Sequence, residues 1–194
     1  MFTYESSFYA PVIGFSRLGN AVGGTVPPTL GKLTKLKYLC LAVNKFEGPI
    51  PRRSLARLKN LEKVWLSSNL FTGSLPRNLL HHLPNLTLLD LSNNKLVGSI
   101  PESFVTDCPN MINMFLELNN LTGRLPEDVQ GLQSLQVFDV GHNQLTGTIP
   151  KSWMSLTNLK EFNLSVNRFS GTIPSELLNL SDLSVLMLVS NFHS

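Results

Sequence analysis

The sequence predicts an α/β repeat solenoid, in which short units stack into an arc instead of folding around one globular core. One observation is an asparagine that recurs every 24 or 25 residues, from position 20 to position 191. A second is a glycine four residues after each of the first seven of these asparagines, with a proline three residues further on. Such a period is typical of stacked repeats, because no single unit can bury its own apolar face.

Each repeat contains one short predicted strand. Apolar residues lie three and five positions before each asparagine, as Leu91 and Leu89 do before Asn94. This alternation has a period of two, which indicates a strand with one buried face. Further apolar columns lie eight and eleven positions before the asparagine and two and six positions after it. We therefore expect short strands to form a parallel sheet on the concave face, with a core shared between neighbouring repeats.

The recurring asparagine, glycine and proline predict the connections between strands. A buried amide must satisfy its donors and its acceptor together, which stacked asparagines can do by bonding backbone of their own and the adjacent repeat. The glycine suits a turn with positive φ. The proline fits where a short strand ends and the convex segment of 3-10 turns and loops begins. The predicted asparagine ladder is Asn20, Asn44, Asn69, Asn94, Asn119, Asn143, Asn167 and Asn191.

The pattern L-x-x-L-x-x-L-x-L-x-x-N-x-L-x-G-x-I-P resembles the plant-specific class of leucine-rich repeat. Segments 89–96 and 145–150 carry it clearly. The resemblance covers residues 9–194 and implies a right-handed arc. It divides the chain into a tail at 1–8, a degenerate repeat at 9–32, six clear repeats at 33–179 and a truncated repeat at 180–194. Members of the class usually begin with a cysteine-paired cap, whereas this chain has only Cys40 and Cys108, so we expect a fragment of a longer protein.

Composition and charge argue against some classes of function. The chain has 194 residues and a net charge of +3. Residues 1–77 carry eleven Lys and Arg against three Asp and Glu, and residues 78–194 carry five against ten. This split indicates either solvated flanks or a gradient that orients an extended partner. No apolar run reaches the ~18–20 residues of a membrane span, and no reader motif indicates nucleic acid. We expect no membrane contact by this segment.

The residues between the buried strand positions are predicted to face solvent on the concave sheet. Several are aromatic, the type enriched in binding hot spots, and several are acidic. The hypothesis is that this face binds a partner with apolar anchors and at least one basic group. The alternative is that these residues are there only because they suit a strand, and bind no partner. The candidate ligand-binding residues are Tyr38, Lys63, Trp65, Asp90, Phe115, Glu117, Asp139, Glu161, Asn163 and Met187.

Four N-x-S/T sequons, at Asn85, Asn120, Asn163 and Asn179, are candidate N-glycosylation sites if the chain enters the secretory route. Their alternative reading is a by-product of a repeat rich in N-L-T and N-L-S. Catalysis is not expected, because the predicted sheet face is open and would not desolvate a carboxylate. The histidines and cysteines show no metal-ligand spacing, and no cofactor motif is present.

The resemblance implies a protein-recognition module of a plant receptor-like kinase or receptor-like protein. Its partner would be a protein or peptide ligand or a co-receptor, on the extracellular face of the plasma membrane or in the cell wall. Two alternatives remain open at this point. One is a secreted inhibitor similar to the polygalacturonase inhibitors, and the other is a structural or adhesive repeat array.

Overall fold

The computed structural model describes residues 14–16 and 21–191. Within that part the chain forms a stack of repeats with two parallel sheets and a row of short helical turns. Asn20, the predicted tail at 1–8 and most of the degenerate repeat's first half lie outside the described residues, as do positions 192–194.

Fifteen short strands alternate between the two sheets. In chain order they are β1 (Gly14–Ser16), β2 (Gly23–Gly24), β3 (Tyr38–Cys40), β4 (Lys45–Pro49), β5 (Lys63–Trp65), β6 (Leu70–Ser74), β7 (Leu88–Asp90), β8 (Lys95–Gly98), β9 (Asn113–Phe115), β10 (Asn120–Gly123), β11 (Val137–Asp139), β12 (Gln144–Gly147), β13 (Glu161–Asn163), β14 (Arg168–Phe169) and β15 (Val185–Met187).

The odd-numbered strands form the concave sheet that the sequence predicts. All eight are parallel and follow one another in chain order, from β1 to β15. The register advances by one whole repeat at each step, so that Leu39 pairs with Val64 and Val64 with Leu89. This constant register places residues of the same repeat position in continuous rows across the sheet, which is what positions the candidate binding residues.

The even-numbered strands form a second parallel sheet of seven strands, which the sequence analysis did not predict. It follows each ladder asparagine, where we expected a turn. Burial alternates along these strands, so that Phe46 is buried between exposed Lys45 and Glu47. A glycine at or near the end of each of these strands has φ between 78° and 84°, a conformation that favours glycine. The apolar positions two and six residues after the asparagine lie on either side of this glycine, so the sequence indicated a turn instead of a strand.

The remaining side of each repeat, the convex side, carries helical turns. Two are short α-helices, α1 (Arg52–Leu55) and α2 (Ser103–Thr106). Five are 3-10 turns, at Pro28–Lys32, Leu80–His82, Gln130–Leu132, Lys151–Ser155 and Ser175–Asn179. They begin one to four residues after the repeat proline, which cannot continue a strand ladder because it has no N–H.

The ladder asparagines use all of their hydrogen-bonding groups. The Nδ2 of Asn94 donates to the carbonyls of Leu91 and Ser92 in its own repeat and of Leu66 in the repeat before, at 3.0–3.1 Å. Its Oδ1 accepts from the Phe71 N–H at 3.0 Å. Asn69, Asn119, Asn143 and Asn167 make equivalent bonds. Each amide therefore links two repeats, which removes the cost of burying it.

Most of the predicted apolar columns form one continuous core, but three members are exposed. Leu33, Ile173 and Leu186 are 47%, 46% and 36% exposed, and for these the predicted burial is wrong. Leu186 lies in β15, which has a partner strand on one side only within the described residues. Since a core shared between neighbours needs both neighbours, burial falls at the ends of the stack.

One large core residue lies outside the columns. Trp153 is fully buried on the convex side, and its ring centroid lies 4.5 Å from that of Phe138 and 5.5 Å from that of Phe162. Its Nε1–H donates to the Pro126 carbonyl at 2.9 Å, which satisfies the indole. Cys108 occupies the position eleven residues before Asn119, where the other clear repeats have leucine. It is buried, and burial raises the pKa of its thiol to about 12.

Candidate ligand-binding face

The register of the concave sheet brings nine of the ten candidate residues into two neighbouring rows, and the tenth, Glu117, follows Phe115 by two residues. The middle row runs Cys40, Trp65, Asp90, Phe115, Asp139, Asn163 and Met187. The row before it runs Tyr38, Lys63, Leu88, Asn113, Val137, Glu161 and Val185. Adjacent strands lie ~4.8 Å apart, so each row presents one side chain per repeat at regular intervals.

The three aromatic candidates are half-buried. Trp65 and Phe115 lie on either side of Asp90 in the middle row. Each of these residues is partly exposed to solvent. A partly exposed aromatic ring on a rigid sheet loses little conformational freedom when a partner covers it, which suits a binding anchor.

Asp90 does not face solvent as the sequence analysis expected, because its side chain is folded back onto its own strand. The residue is 5% exposed. Its Oδ1 accepts hydrogen bonds from the Ser92 N–H at 3.0 Å and from the Ser92 hydroxyl at 2.7 Å. Asp90 therefore caps the turn that leads towards Asn94, and its carboxyl group lies beneath the surface on the strand between those of Trp65 and Phe115.

The same capping turn recurs two and three repeats later. Asp139 Oδ1 accepts from the Gly141 N–H at 2.8 Å, and Asn163 Oδ1 accepts from the Ser165 N–H at 3.0 Å and from its hydroxyl at 2.6 Å. Asn163 Nδ2 donates to Asp139 Oδ2 at 2.9 Å. Gly141 makes room for this network, because a Cβ there would lie 2.9 Å from Asn163 Nδ2.

Glu117 belongs to the repeat between those of Asp90 and Asp139, and one of its two carboxyl oxygens accepts no hydrogen bond from the described part of the chain. Its Oε2 is buried and has no hydrogen-bond partner among the described residues. Burial, together with the nearby negative charges of Asp139 and Asp90, raises the pKa of its carboxyl to about 8. Burial also raises the pKa of Asp139, although its bonds to Gly141 and Asn163 oppose this. These three acidic residues, Asp90, Glu117 and Asp139, are named the acidic well.

The remaining candidates lie at the two ends of the sheet. The Tyr38 hydroxyl donates to Glu62 Oε2 at 3.1 Å, and Lys37 Nζ donates to Glu62 Oε1 at 2.7 Å. The Lys63 Nζ lies 5.9 Å from the centre of the Tyr38 ring. Glu161 is exposed, and Met187 is half-buried on β15. The Tyr38 end is thus a local network of its own, separate from the acidic well.

Two general models of the leucine-rich repeat match the chain. One matches residues 84–145, and the other matches residues 60–82 and 158–180. These segments fall on the clear repeats of the stack, and solved structures with a similar fold include a TDR receptor and the Arabidopsis receptor kinase HAESA.

The chain belongs to the leucine-rich-repeat family.

Solved plant receptors are similar to this leucine-rich-repeat chain. One is the Arabidopsis receptor kinase HAESA in complex with the peptide hormone IDA and the co-receptor SERK1, with 35% identity and a TM-score of 0.86 over 92% of the chain. Another is the ectodomain of GASSHO1/SCHENGEN3 from Arabidopsis thaliana in complex with CASPARIAN STRIP INTEGRITY FACTOR 2, with 33% identity and a TM-score of 0.85 over 93%. The plant peptide hormone receptor RGFR1, in complex with RGF2, has 33% identity and a TM-score of 0.84 over 92%.

The chain spans only part of these ectodomains, namely 29%, 21% and 28% of their lengths respectively. Among curated proteins, none matches the chain in sequence. By their descriptions, RGFR1 is a peptide hormone receptor and HAESA is bound to a peptide hormone and a co-receptor.

The other features considered in the chain are the glycosylation sequons, metal sites and membrane-spanning helices. Asn85, Asn120 and Asn179 are exposed, whereas Asn163 is half-buried with its amide bonded as described above. No group of His, Cys, Asp and Glu side chains within the described residues has the arrangement of a metal site. In the same part of the chain, none of the helices has the length and apolar character needed to cross a bilayer.

Proposed function

We propose that this chain is the recognition part of a receptor-like ectodomain and that its concave sheet binds a peptide or protein segment carrying apolar side chains and a basic group. The proposal rests mainly on one observation, the acidic well beside Trp65 and Phe115, with Asp90 between these two aromatic residues. The aromatic rings supply apolar contact area, and the well supplies carboxyl groups that a basic group of the partner can bind in their ionised form. The complexes of similar receptors with peptide hormones and a co-receptor support the same class of partner.

The unpartnered oxygen of Glu117 gives the basic group a specific role. A buried acceptor without a donor costs free energy, on the order of 1–3 kcal/mol. A lysine or arginine side chain of the partner would supply that donor and would also oppose the mutual repulsion of Glu117, Asp139 and Asp90. Binding would then favour the ionised carboxyl and release a proton at pH values below the raised pKa of Glu117.

The test is a selection of random peptides on the full chain. Peptides enriched by the wild-type protein should contain an apolar residue close to Lys or Arg. Trp65→Ala and Phe115→Ala should each weaken the binding of the selected peptides about tenfold or more, as loss of a hot-spot anchor does. Leu70→Ala is the matched control, because Leu70 is an exposed apolar residue on the second sheet.

Two outcomes of that selection contradict the proposal. One is enrichment of peptides without basic residues, and the other is unchanged affinity of the folded Trp65→Ala and Phe115→Ala variants. The acidic well has its own readout, since affinity for a Lys- or Arg-containing peptide should rise as the pH increases towards 8. The Glu117→Gln variant should bind with a smaller dependence on pH.

On this proposal the module recognises and does not catalyse, and it acts on the extracellular side of the plasma membrane or in the cell wall. Asn85, Asn120 and Asn179 are then the sequons that a glycan can occupy without disturbing a side-chain network of the concave sheet. Mass spectrometry of the protein from a plant secretory host tests this assignment. Occupancy of Asn163 in folded protein would contradict it, because a glycan there would disrupt the bond to Asp139.

A further inference from the structure

The convex side of the first three fully described repeats carries a dense positive charge that the concave-face proposal does not use. The convex segments 27–36, 51–61 and 76–86 contain no acidic residue. Their seven basic side chains are all exposed. We name them the basic convex patch; they are Lys32, Lys35, Arg52, Arg53, Arg57, Lys59 and Arg77.

Contacts between successive convex segments make this patch continuous. The Ser54 hydroxyl donates to the Pro28 carbonyl at 3.3 Å, and Asn60 Nδ2 donates to the Thr34 carbonyl at 2.8 Å. Asn85 Nδ2 reaches the Lys59 carbonyl at 3.4 Å, which connects the third segment to the second. The three segments therefore lie side by side, and their cations belong to one surface.

Gly31 adds to this continuity. The Arg57 side chain lies across it, since a Cβ at position 31 would come within 3.1 Å of Arg57 Cδ. The absence of a side chain at Gly31 lets a cation of the second segment extend over the first. The next two convex segments reverse the sign: 101–111 and 126–135 carry Glu102, Asp107, Glu127 and Asp128 and no Lys or Arg.

The chemistry of the patch favours one class of partner. No Phe, Tyr or Trp lies in the three segments, so they offer neither the stacking platform of a single-strand binder nor the aromatic anchor of a protein interface. Leu33 is their one large apolar side chain among the exposed ones, too little for insertion into a membrane. The patch therefore contributes mainly positive charge to binding. Four of its seven cations are arginines, and each planar guanidinium group can bind one carboxylate through two hydrogen bonds.

We propose that the basic convex patch binds a linear acidic polysaccharide, whose carboxylates lie along the three adjacent convex segments. A flexible polyanion follows the patch without a shaped pocket, because its affinity comes from charge neutralisation and release of counterions. The reversal of charge after residue 100 limits the bound length to these repeats. The concave sheet remains free, so the polysaccharide and the ligand of that sheet bind independently.

The experiment measures binding of the full chain to polygalacturonate across a salt series, with neutral dextran as the uncharged polymer. The triple variant Arg52→Gln, Arg53→Gln, Lys59→Gln removes three exposed patch cations. Its matched control is Lys95→Gln, Arg124→Gln, Arg168→Gln, which loses the same charge from exposed positions elsewhere. We expect the patch variant to lose roughly tenfold or more in affinity and the control about twofold or less.

Several results would contradict the proposal. Equal losses in both triple variants would mean that net charge alone matters, and equal binding to dextran would remove the role of charge. Affinity for duplex DNA or for vesicles with anionic lipids as high as for polygalacturonate would overturn the choice of polysaccharide. Unchanged binding by Trp65→Ala is expected, and a loss in that variant would contradict the separation of the two faces.

Discussion

At the scale of single residues, Glu117 is the group whose burial has the clearest consequence. The folded chain holds its carboxyl at a pKa of about 8, above the ordinary value of a glutamate. The folded state therefore binds a proton more tightly than the unfolded state. The associated stability is present below the unfolded pKa and is lost as the pH rises through the folded pKa. Asp139, whose pKa burial also raises, adds to the effect in the same direction.

We expect the free energy of unfolding to fall between about pH 5 and pH 8, by an amount on the order of a few kcal/mol, because one pKa unit corresponds to ~1.4 kcal/mol. Glu117→Gln should reduce this dependence and be more stable than the wild type at pH 8. Urea unfolding at several pH values measures it. Glu161→Gln, which removes an exposed carboxylate from the same sheet, should keep the wild-type slope. An equal slope in the Glu117→Gln variant would contradict the assignment.

A second residue-scale feature is backbone strain immediately before the ladder asparagines. Val166 has φ of 51° and Val43 has φ of 57°, in the left-handed region that branched side chains rarely adopt. The equivalent position in another repeat is Asn93, with φ of 50°. Asparagine tolerates this conformation better.

Val166→Asn and Val43→Asn should each stabilise the chain by about 1 kcal/mol through relief of this strain. Both positions are exposed, so little core packing is lost. Thermal or urea unfolding measures the change. Val137→Asn, at a half-buried position of strand β11 without positive φ, should destabilise the protein. Destabilisation by both left-handed substitutions would show that the valines contribute packing that outweighs the strain.

At the scale of elements, the convex turns depend on close approach between repeats. Gly131, in the turn Gln130–Leu132, packs against the end of α2. A Cβ at this position would lie 2.4 Å from the Thr106 carbonyl oxygen and 2.5 Å from that of Val105. Both are backbone atoms, so the contact can be relieved only by moving one segment away from the other.

Gly131→Ala should therefore destabilise the chain by several kcal/mol, on the order of 3 kcal/mol or more. Gly98→Ala is the comparison, because Gly98 has φ of 80° but its nearest neighbour is 3.5 Å from an added Cβ. That variant should lose only the free energy needed to hold an alanine in the left-handed conformation, about 1–2 kcal/mol. Chemical denaturation of both variants ranks them, and equal losses would mean that the repeats can separate at Gly131 at little cost.

At the scale of the whole molecule, stability is a sum over neighbouring repeats. Leu89 and Leu186 occupy the same position of their repeats, yet Leu89 is 1% exposed and Leu186 is 36% exposed. The difference comes from the number of neighbours, since β7 is paired on both sides and β15 on one side within the described residues. Identical sequence positions therefore have unequal energies along the stack.

Leu89→Ala should cost ~2–5 kcal/mol, as a large-to-small change in a core does, and Leu186→Ala should cost less than half as much. Equilibrium unfolding in urea measures both. Hydrogen exchange gives an independent check, because amides of β7 and β9 should exchange more slowly than those of β15. Equal costs at the two positions would contradict nearest-neighbour stability and would indicate that the strand β15 is covered in solution.

Much of the fold could be predicted from the sequence, because the same spacing of residues recurs in every repeat and the pattern is therefore seen several times. The spacing of the asparagines, the period-two strands and the turn glycines determined the stack and its concave sheet, since each is a local constraint repeated at a constant interval. The second sheet was missed because the glycine with positive φ lies between its two apolar positions, as Gly48 does between Phe46 and Ile50, and this glycine predicts a turn. Trp153 was missed because its burial depends on Phe138 and Phe162, which lie on the separate strands β11 and β13.

The candidate site shows the same division between local and distant causes. The repeat spacing was enough to predict which residues share the middle row, because a parallel sheet of constant register preserves repeat position. The folded chain was needed to show that Asp90 folds back onto Ser92 and that Glu117 is buried beside Asp139 with one oxygen lacking a hydrogen-bond partner among the residues that the structure describes. Those states depend on side chains from several strands and on the space above Gly141. Burial and charge are properties of the assembled surface, whereas spacing is a property of the chain.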